Sequence, residues 1–228
     1  MTKGKCFALT ALAMIAFAGN SLLCRQALKH TTIDAATFTL VRILSGALCL
    51  WIIVLTRKGS LAKVGSWPSA LALFGYAGLF SFAYLQLTAG TGALLLFGAG
   101  IAWGIYSLRG KNAGDPLRAT AGNFLRAVPM AALLSVVALR SANFDRAGIV
   151  YAIISGALAS GVGYAIWYSA LPALKASAAA TVQLSVPVLA AAGGIVFLGE
   201  TITLRFALAS IAVLGGIALV IVERRAAR

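Results

Sequence analysis

The chain has 228 residues, of which 61% are hydrophobic and only 11% charged, with a formal net charge of +14. A soluble domain of this size cannot hide so much apolar side chain, so the soluble classes are excluded. The basic residues cluster in short gaps between apolar runs and not on an aromatic-basic surface, which argues against nucleic acid as a partner.

Apolar runs of bilayer-spanning length recur almost end to end and predict an all-α polytopic membrane protein of about eight transmembrane helices. The first 24 residues imitate a signal peptide, with Lys3, Lys5 and an Ala16-Phe17-Ala18 site, but the run continues to Leu23 and reads as the first span. The second span runs from near Ala36 to Thr56 and ends on Arg57-Lys58. The third begins at Trp67-Pro68, with proline in the first turn, where its missing N–H costs nothing, and ends near Leu87. The fourth is the continuous run from Ala89 to Gly110, closed by Arg109 and Lys111. A polar loop leads to Asp115-Pro116, a helix start, and the fifth span runs to about Leu139. The sixth covers Gly148 to Leu171, and the seventh runs from about Ser177 to Leu198. The eighth follows the Gly199-Glu200-Thr201 turn and ends at Val222.

With the N-terminus inside, twelve Lys and Arg lie on the inner side and five on the outer, and Arg42 and Arg126, within spans, complete the nineteen. That asymmetry places both termini in the cytoplasm.

An internal repeat accompanies this pattern. Arg42 aligns with Arg126 at an offset of 84, which Ala47 with Ala131, Leu50 with Leu134 and Leu55 with Leu139 preserve. The copies lie three spans apart, an odd number, and are therefore inverted in the membrane. Inverted repeats of this kind place a solute site at their interface near the bilayer midplane. The stretch from Pro187 to Val222 has no counterpart before the fourth span.

The second half resembles a repeat of the drug/metabolite transporter superfamily, EamA-like family. The resemblance rests on an aromatic, small-residue helix (Gly161 to Ser169), an Ala/Ser-rich tip (Lys175 to Ala180), Pro187 followed by a helix ending in Gly199-Glu200, and Gly215-Gly216 in the last helix. It implies two inverted five-helix halves and export of a small metabolite or drug-like solute across an inner membrane by alternating access. The chain departs from that pattern by two spans, expected to be missing between Thr88 and Leu108. It then consists of an incomplete first repeat, residues 1–99, and a second repeat, residues 100–228. A non-transporting remnant, or a membrane interaction protein, is the alternative.

Nothing in the chain points to an enzyme or a cofactor. Cys6, Cys24 and Cys49 lack metal-ligand spacing, and His30 sits in an outer loop beside Lys29. None of the five acids lies deep in a span. Candidates for a solute path are Asn20, Gln86, Trp103, Tyr106, Asn123, Tyr164, Gln183 and Ser185, which combine rigid aromatic surface with polar tips. Interfacial belting competes as an explanation for Tyr84, Trp167 and Tyr168 near span ends. Pro187 cannot donate to the carbonyl of Gln183, which would leave a free acceptor in mid-span. Arg42 and Arg126 are costly intramembrane charges, open either to a solute or helix-pairing role or to snorkelling from within a few turns of a helix end. Gly100 and Gly104 form a G-x-x-x-G, and Gly148, Ala152, Gly156 and Ser160 recur every four residues, both suited to close helix packing. The implied partners are a small solute and the lipid bilayer. The groove left by two missing spans would either pair in a homodimer or leave the protein inactive.

The topology is directly testable. A reporter fused after Arg228 or at Lys58 should read cytoplasmic and one at Asn143 external; Arg228 and Asn143 on one side would break the eight-span reading.

Overall fold

The computed structural model describes residues 1–58, 64–85, 89–110 and 114–201, together with Ile211 and Gly215. Apart from those two residues, the eighth expected span lies outside the described residues. Within them the chain is all-helical, with helix α1 (Lys3–His30), α2 (Ala35–Thr56), α3 (Trp67–Ala83), α4 (Ala89–Gly110) and α5 (Pro116–Val137). Then come α6 (Arg146–Ile154), a π-helical stretch (Ser155–Val162), α7 (Gly163–Ala170), α8 (Ala176–Gln183) and α9 (Ser185–Leu198). Six helical segments are long and apolar enough to cross a bilayer: Lys3–His30, Ala35–Thr56, Gly90–Gly110, Pro116–Val137, Arg146–Ala173 and Ala178–Leu198. The seventh apolar helix, Trp67–Ala83, is shorter at 17 residues. The protein is therefore a multi-pass membrane protein.

Polar residues mark the helix starts. Asp34 Oδ1 accepts from the Ala36 and Thr37 N–H groups at 3.0 and 2.9 Å, and Ser66 Oγ accepts from the Ser69 N–H at 3.3 Å. Asp115 accepts from Arg118 N–H at 3.1 Å, and Asp145 from Gly148 N–H at 2.6 Å. Each satisfies a donor that the first helical turn cannot pair internally. Three of the five carboxylates are thus used as caps, and Pro68 and Pro116 occupy first-turn positions beside two of these caps.

The chain divides into two compact units. One comprises Leu23–Ala165. In it α2 packs against α3, α5, α6 and the π stretch, and α3 packs against α4 and α5. Cys24, Ala27, Leu28, Ile33, Ala35, Phe38 and Ala152 form a buried cluster. Small residues set the closeness of approach. A Cβ on Gly156 would run into the Ser45 hydroxyl and the Arg42 carbonyl, and one on Gly46 would meet the Phe124 ring at 2.7 Å. In lipid, where apolar burial gives helices little reason to associate, such contact is what holds them.

The sixth span is not a uniform α-helix as its four-residue ridge predicts. Gly148, Ala152 and Gly156 keep that spacing and are buried, but the next glycine to press on α2 is Gly161, five residues on, where a Cβ would meet Cys49 Sγ at 2.8 Å. A π-helix pairs i with i+5, so its turn is wider and the contact stripe stretches accordingly. Ser160 is buried as well, at 5% exposure.

The other unit comprises Met1–Leu22 with Ile166–Arg228. Ala13, Met14, Trp167 and Ala179 form its buried cluster, with the Phe17 and Trp167 rings edge-on at 6.4 Å between centroids. The seventh span breaks at Leu184 into α8 and α9. Pro187 stands three residues past this one-residue interruption, near the middle of the 21-residue apolar segment Ala178–Leu198, and has no N–H to donate to the Gln183 carbonyl. Gly199, at φ 65°, ends α9 in the left-handed conformation that glycine adopts without strain.

Asp34 also ties two distant loops, since its Oδ2 accepts from Asn143 N–H at 2.9 Å. Burial acts to raise its pKa, but hydrogen bonds from the Thr37 side chain and from the Asn143, Thr37 and Ala36 N–H groups outweigh it and hold the carboxyl below its usual range. A depressed folded-state pKa stabilises above the unfolded value of about 3.9, and that contribution is lost as pH falls through the folded value. Asp34→Ala should lower stability by about 1 kcal/mol near neutral pH. Melting curves in detergent should show the gap from wild type closing under acid conditions; a gap independent of pH would contradict the assignment.

Candidate functional site

Aromatic rings form a continuous ladder inside the Leu23–Ala165 unit. Tyr76, Phe80 and Tyr84 recur every four residues along α3 and so share a face. Their rings follow one another at 5.6 Å (Tyr76–Phe80) and 5.1 Å (Phe80–Tyr84). From Tyr76 the ladder crosses to Trp103 of α4 at 5.1 Å. Trp103 then meets Tyr106 at 5.8 Å and Tyr164 at 6.1 Å, and Tyr164 meets Phe124 edge-on at 5.9 Å. The Tyr106 hydroxyl donates to Thr120 Oγ1 at 2.9 Å. Trp103, Tyr106 and Tyr164, expected along a solute path, thus come together. Tyr76, Phe80 and Phe124 were missed, although the four-residue spacing on α3 is a signal that the sequence carries.

Two cations lie on this ladder. The Arg25 guanidinium stands 5.6 Å from the Tyr84 ring centroid. Arg42, only 4% exposed, stands 5.6 Å from Tyr76 and 5.9 Å from Phe80. Among the described residues, Arg42 Nη1 is buried with no hydrogen-bond partner. An arginine within a spanning helix costs up to about 2.5–3.5 kcal/mol on insertion scales, the upper value applying at the helix centre. A desolvated cation–π contact returns about 2 kcal/mol. The rings therefore offset much of the cost of the charge but supply no hydrogen-bond acceptor. At 4% exposure, Arg42 does not snorkel to the surface.

Arg126 is held differently. Its Nη1 donates to the carbonyls of Val64 and, at 3.0 Å, Gly122. Beside it, Ser66 N–H donates to Asn123 Oδ1 at 2.8 Å. Gly65, at φ 77°, lies so near Gly122 and Asn123 that a Cβ would meet their backbone at 2.7–2.8 Å. Residues 64–66 are thereby clasped onto α5. The clasp borders a cavity of about 360 Å³ lined by Ser66, Ser69, Arg109, Asp115, Arg118 and Asn123, among others. Arg109 Nε donates to Ser69 Oγ across it at 3.1 Å. The two arginines that match in sequence thus differ in chemistry, one bound to carbonyls and the other stacked on rings.

The remaining candidates scatter. Asn20 is buried at 4% exposure in the other unit, which also holds the half-buried Gln183 and Ser185. Ser185 Oγ donates to the Val182 carbonyl at 2.6 Å, a local bond at the break between α8 and α9. Gln86 lies outside the described residues. A Cβ on Gly100 or Gly104 would meet no atom within 4 Å, so among the described residues that G-x-x-x-G makes no close helix contact, unlike Gly156. Among the described residues no three His, Cys, Asp or Glu side chains gather as metal ligands.

Comparison with known proteins gives this geometry a context. The model of the EamA-like transporter family matches residues 90–222. An uncharacterised protein of Pseudomonas aeruginosa is 48% identical over 276 aligned positions, covering 96% of each chain. Since this chain has 228 residues, at least 48 of those 276 positions carry none of its residues. The threonine/homoserine exporter RhtA of Escherichia coli is 37% identical over 119 residues, and its counterpart in Salmonella typhimurium is 35% identical over the same length. Those matches span 50% of this chain and 39% of the exporters. No solved structure matches significantly. Family and relatives together point to a membrane transporter and away from an enzyme.

The clasp should be separable from the ladder by mutation. Asn123→Ala leaves the Ser66 N–H without its acceptor and should cost about 1–3 kcal/mol, read as a lower melting temperature in detergent. An unchanged melting temperature would show that the bond contributes nothing.

Proposed function

We propose, on the premise that the chain belongs to the EamA-like transporter family, that it is a secondary exporter moving a small metabolite across an inner membrane by alternating access. The family match over residues 90–222 carries this reading, because that stretch supplies Trp103, Tyr106, Phe124 and Tyr164 to the intramembrane ladder. Rigid aromatic surface with polar tips suits a small solute that must be held and released. The similarity to RhtA, a threonine/homoserine exporter, supports a solute of amino-acid size.

The repeat reading draws support from packing. The Arg-bearing helices α2 and α5 are the two that the internal alignment pairs, and they pack against each other. Both termini are cytoplasmic in this proposal, following the excess of Lys and Arg on that side. The site forms at the interface of an incomplete repeat, residues 1–99, and a second, residues 100–228.

A second reading, a remnant that inserts but moves nothing, has its own observation. The 48 or more positions absent relative to the Pseudomonas protein amount to about two spans of roughly 20 residues with their turns. Gly100 and Gly104, with no neighbour within 4 Å, are where a lost helix would have packed.

One experiment separates the readings. The chain and a version carrying a second copy of residues 187–222, with a linker and a new helix start, between Ala99 and Gly100 are reconstituted into proteoliposomes. Counterflow of labelled threonine, homoserine and the other common amino acids is then measured. Transport by the chain itself supports the exporter; transport by the enlarged version alone supports the remnant. No transport by either would remove both the exporter and the missing-helix account.

A further inference from the structure

We propose that Arg42 is the residue that holds the carboxylate of the transported solute, which makes the solute class an amino acid or another small monocarboxylate. The inference rests on the exporter reading above and assigns the chemistry of its site. A guanidinium stays charged at any pH the protein meets. The Arg42 side chain is 4% exposed, inside a spanning helix, and among the described residues its Nη1 has no hydrogen-bond partner. Arg25 shares these surroundings, since both guanidinium groups act on Cys24, and it hydrogen-bonds Tyr84.

The rings of Tyr76 and Phe80 define where the guanidinium sits without using its N–H groups. A planar fork fixed in this way accepts a carboxylate through parallel N–H···O bonds. The dry surroundings strengthen such a pair, because no water competes for the donors. The adjoining surface extends from Tyr76 to Trp103, so a carboxylate held at Arg42 would place the rest of a small molecule against aromatic rings. A planar guanidinium fork matches the two oxygens of one carboxylate, the basis for proposing a monocarboxylate, while Arg25, the second cation near this site, is engaged with Tyr84. Arg126 makes the contrast, because its Nη1 already serves two backbone carbonyls.

The test uses the full chain purified in detergent. Thermal unfolding is followed with each common L-amino acid, its amide, acetate and inorganic phosphate. At least one amino acid should raise the melting temperature while its amide does not. Arg42→Gln should weaken that binding on the order of tenfold or more, Arg42→Lys should retain part of it, and Arg126→Gln should retain it in full if that variant folds. The proposal falls if no amino acid shifts the melting temperature, if amides or phosphate act as well as the acids, or if the shift survives in Arg42→Gln. Should Arg42→Gln not fold, the comparison of acid with amide in wild type and Arg42→Lys decides. Proteoliposome transport distinguishes the two levels. Movement of a solute lacking a carboxylate overturns the role of Arg42 and leaves the exporter. Carboxylate binding that depends on Arg42 without any transport leaves the site and removes the exporter.

Discussion

A bilayer offers no water to a polar group, so each one inside it must find a partner in the protein or bear the cost. This constraint organises the described chain. Three carboxylates stand at helix starts, where Asp34, Asp115 and Asp145 take up N–H groups that the helix leaves unpaired. Arg126 is paid for by two carbonyls. Tyr106 and Thr120 satisfy each other. Arg42 answers only in part, by stacking on Tyr76 and Phe80. A cost borne at one position, when its sequence-matched partner has been relieved of it, is the observation behind the role proposed for Arg42.

The same lack of a hydrophobic drive explains the glycines. Helices in lipid associate by fitting closely, and α2 accomplishes this through Gly46 on its own surface and Gly156 and Gly161 on the opposing one. Because the Arg42 carbonyl is among the atoms nearest Gly156, the helix that carries the buried charge is held by a close backbone approach at that same residue. Positioning of a charge by backbone fit leaves its side chain free to meet a ligand. The π stretch belongs to this arrangement, since its wider turn brings both Gly156 and Gly161 onto α2.

Much of this was legible in the sequence, and the exceptions have physical causes. Span positions follow from local hydropathy, and the caps follow from polar residues placed just before apolar runs, as at Asp115-Pro116. The distinction between Arg42 and Arg126 could not be read, because it depends on the Val64 carbonyl, 62 residues away from Arg126. The π stretch was hidden for a related reason: both Ser160 and Gly161 are small, so the residues permit a spacing of four or five and only packing against α2 chooses. Pro187 lies near the middle of the apolar segment Ala178–Leu198, as its place in the run indicates, and the interruption at Leu184 falls where its missing N–H takes a bond from the helix. Gln183 stays a proposed path residue, and Trp103 is the ring that brings Tyr106 and Tyr164 into one group.

The fourth span, α4, connects these observations. α4 is continuous from Ala89 to Gly110 and packs closely on α3, with Gly98 against Leu79. Its other side carries Leu94, Phe97, Ile101 and Leu108, all exposed, alongside Gly100 and Gly104. Large apolar side chains alone would be ordinary for a lipid face. Glycines in the same helix are not, because a glycine in a spanning helix forfeits side-chain contact and is useful where another backbone comes near. Gly156 and Gly161 show what such a residue looks like when its neighbour is present, and Gly100 and Gly104 lack that neighbour among the described residues. Trp103 lies between Gly100 and Gly104 in sequence and joins the ladder through Tyr76, Tyr106 and Tyr164. The helix therefore contributes to the aromatic wall through one face, whatever packs on the glycines, so the aromatic wall does not depend on what covers Gly100 and Gly104.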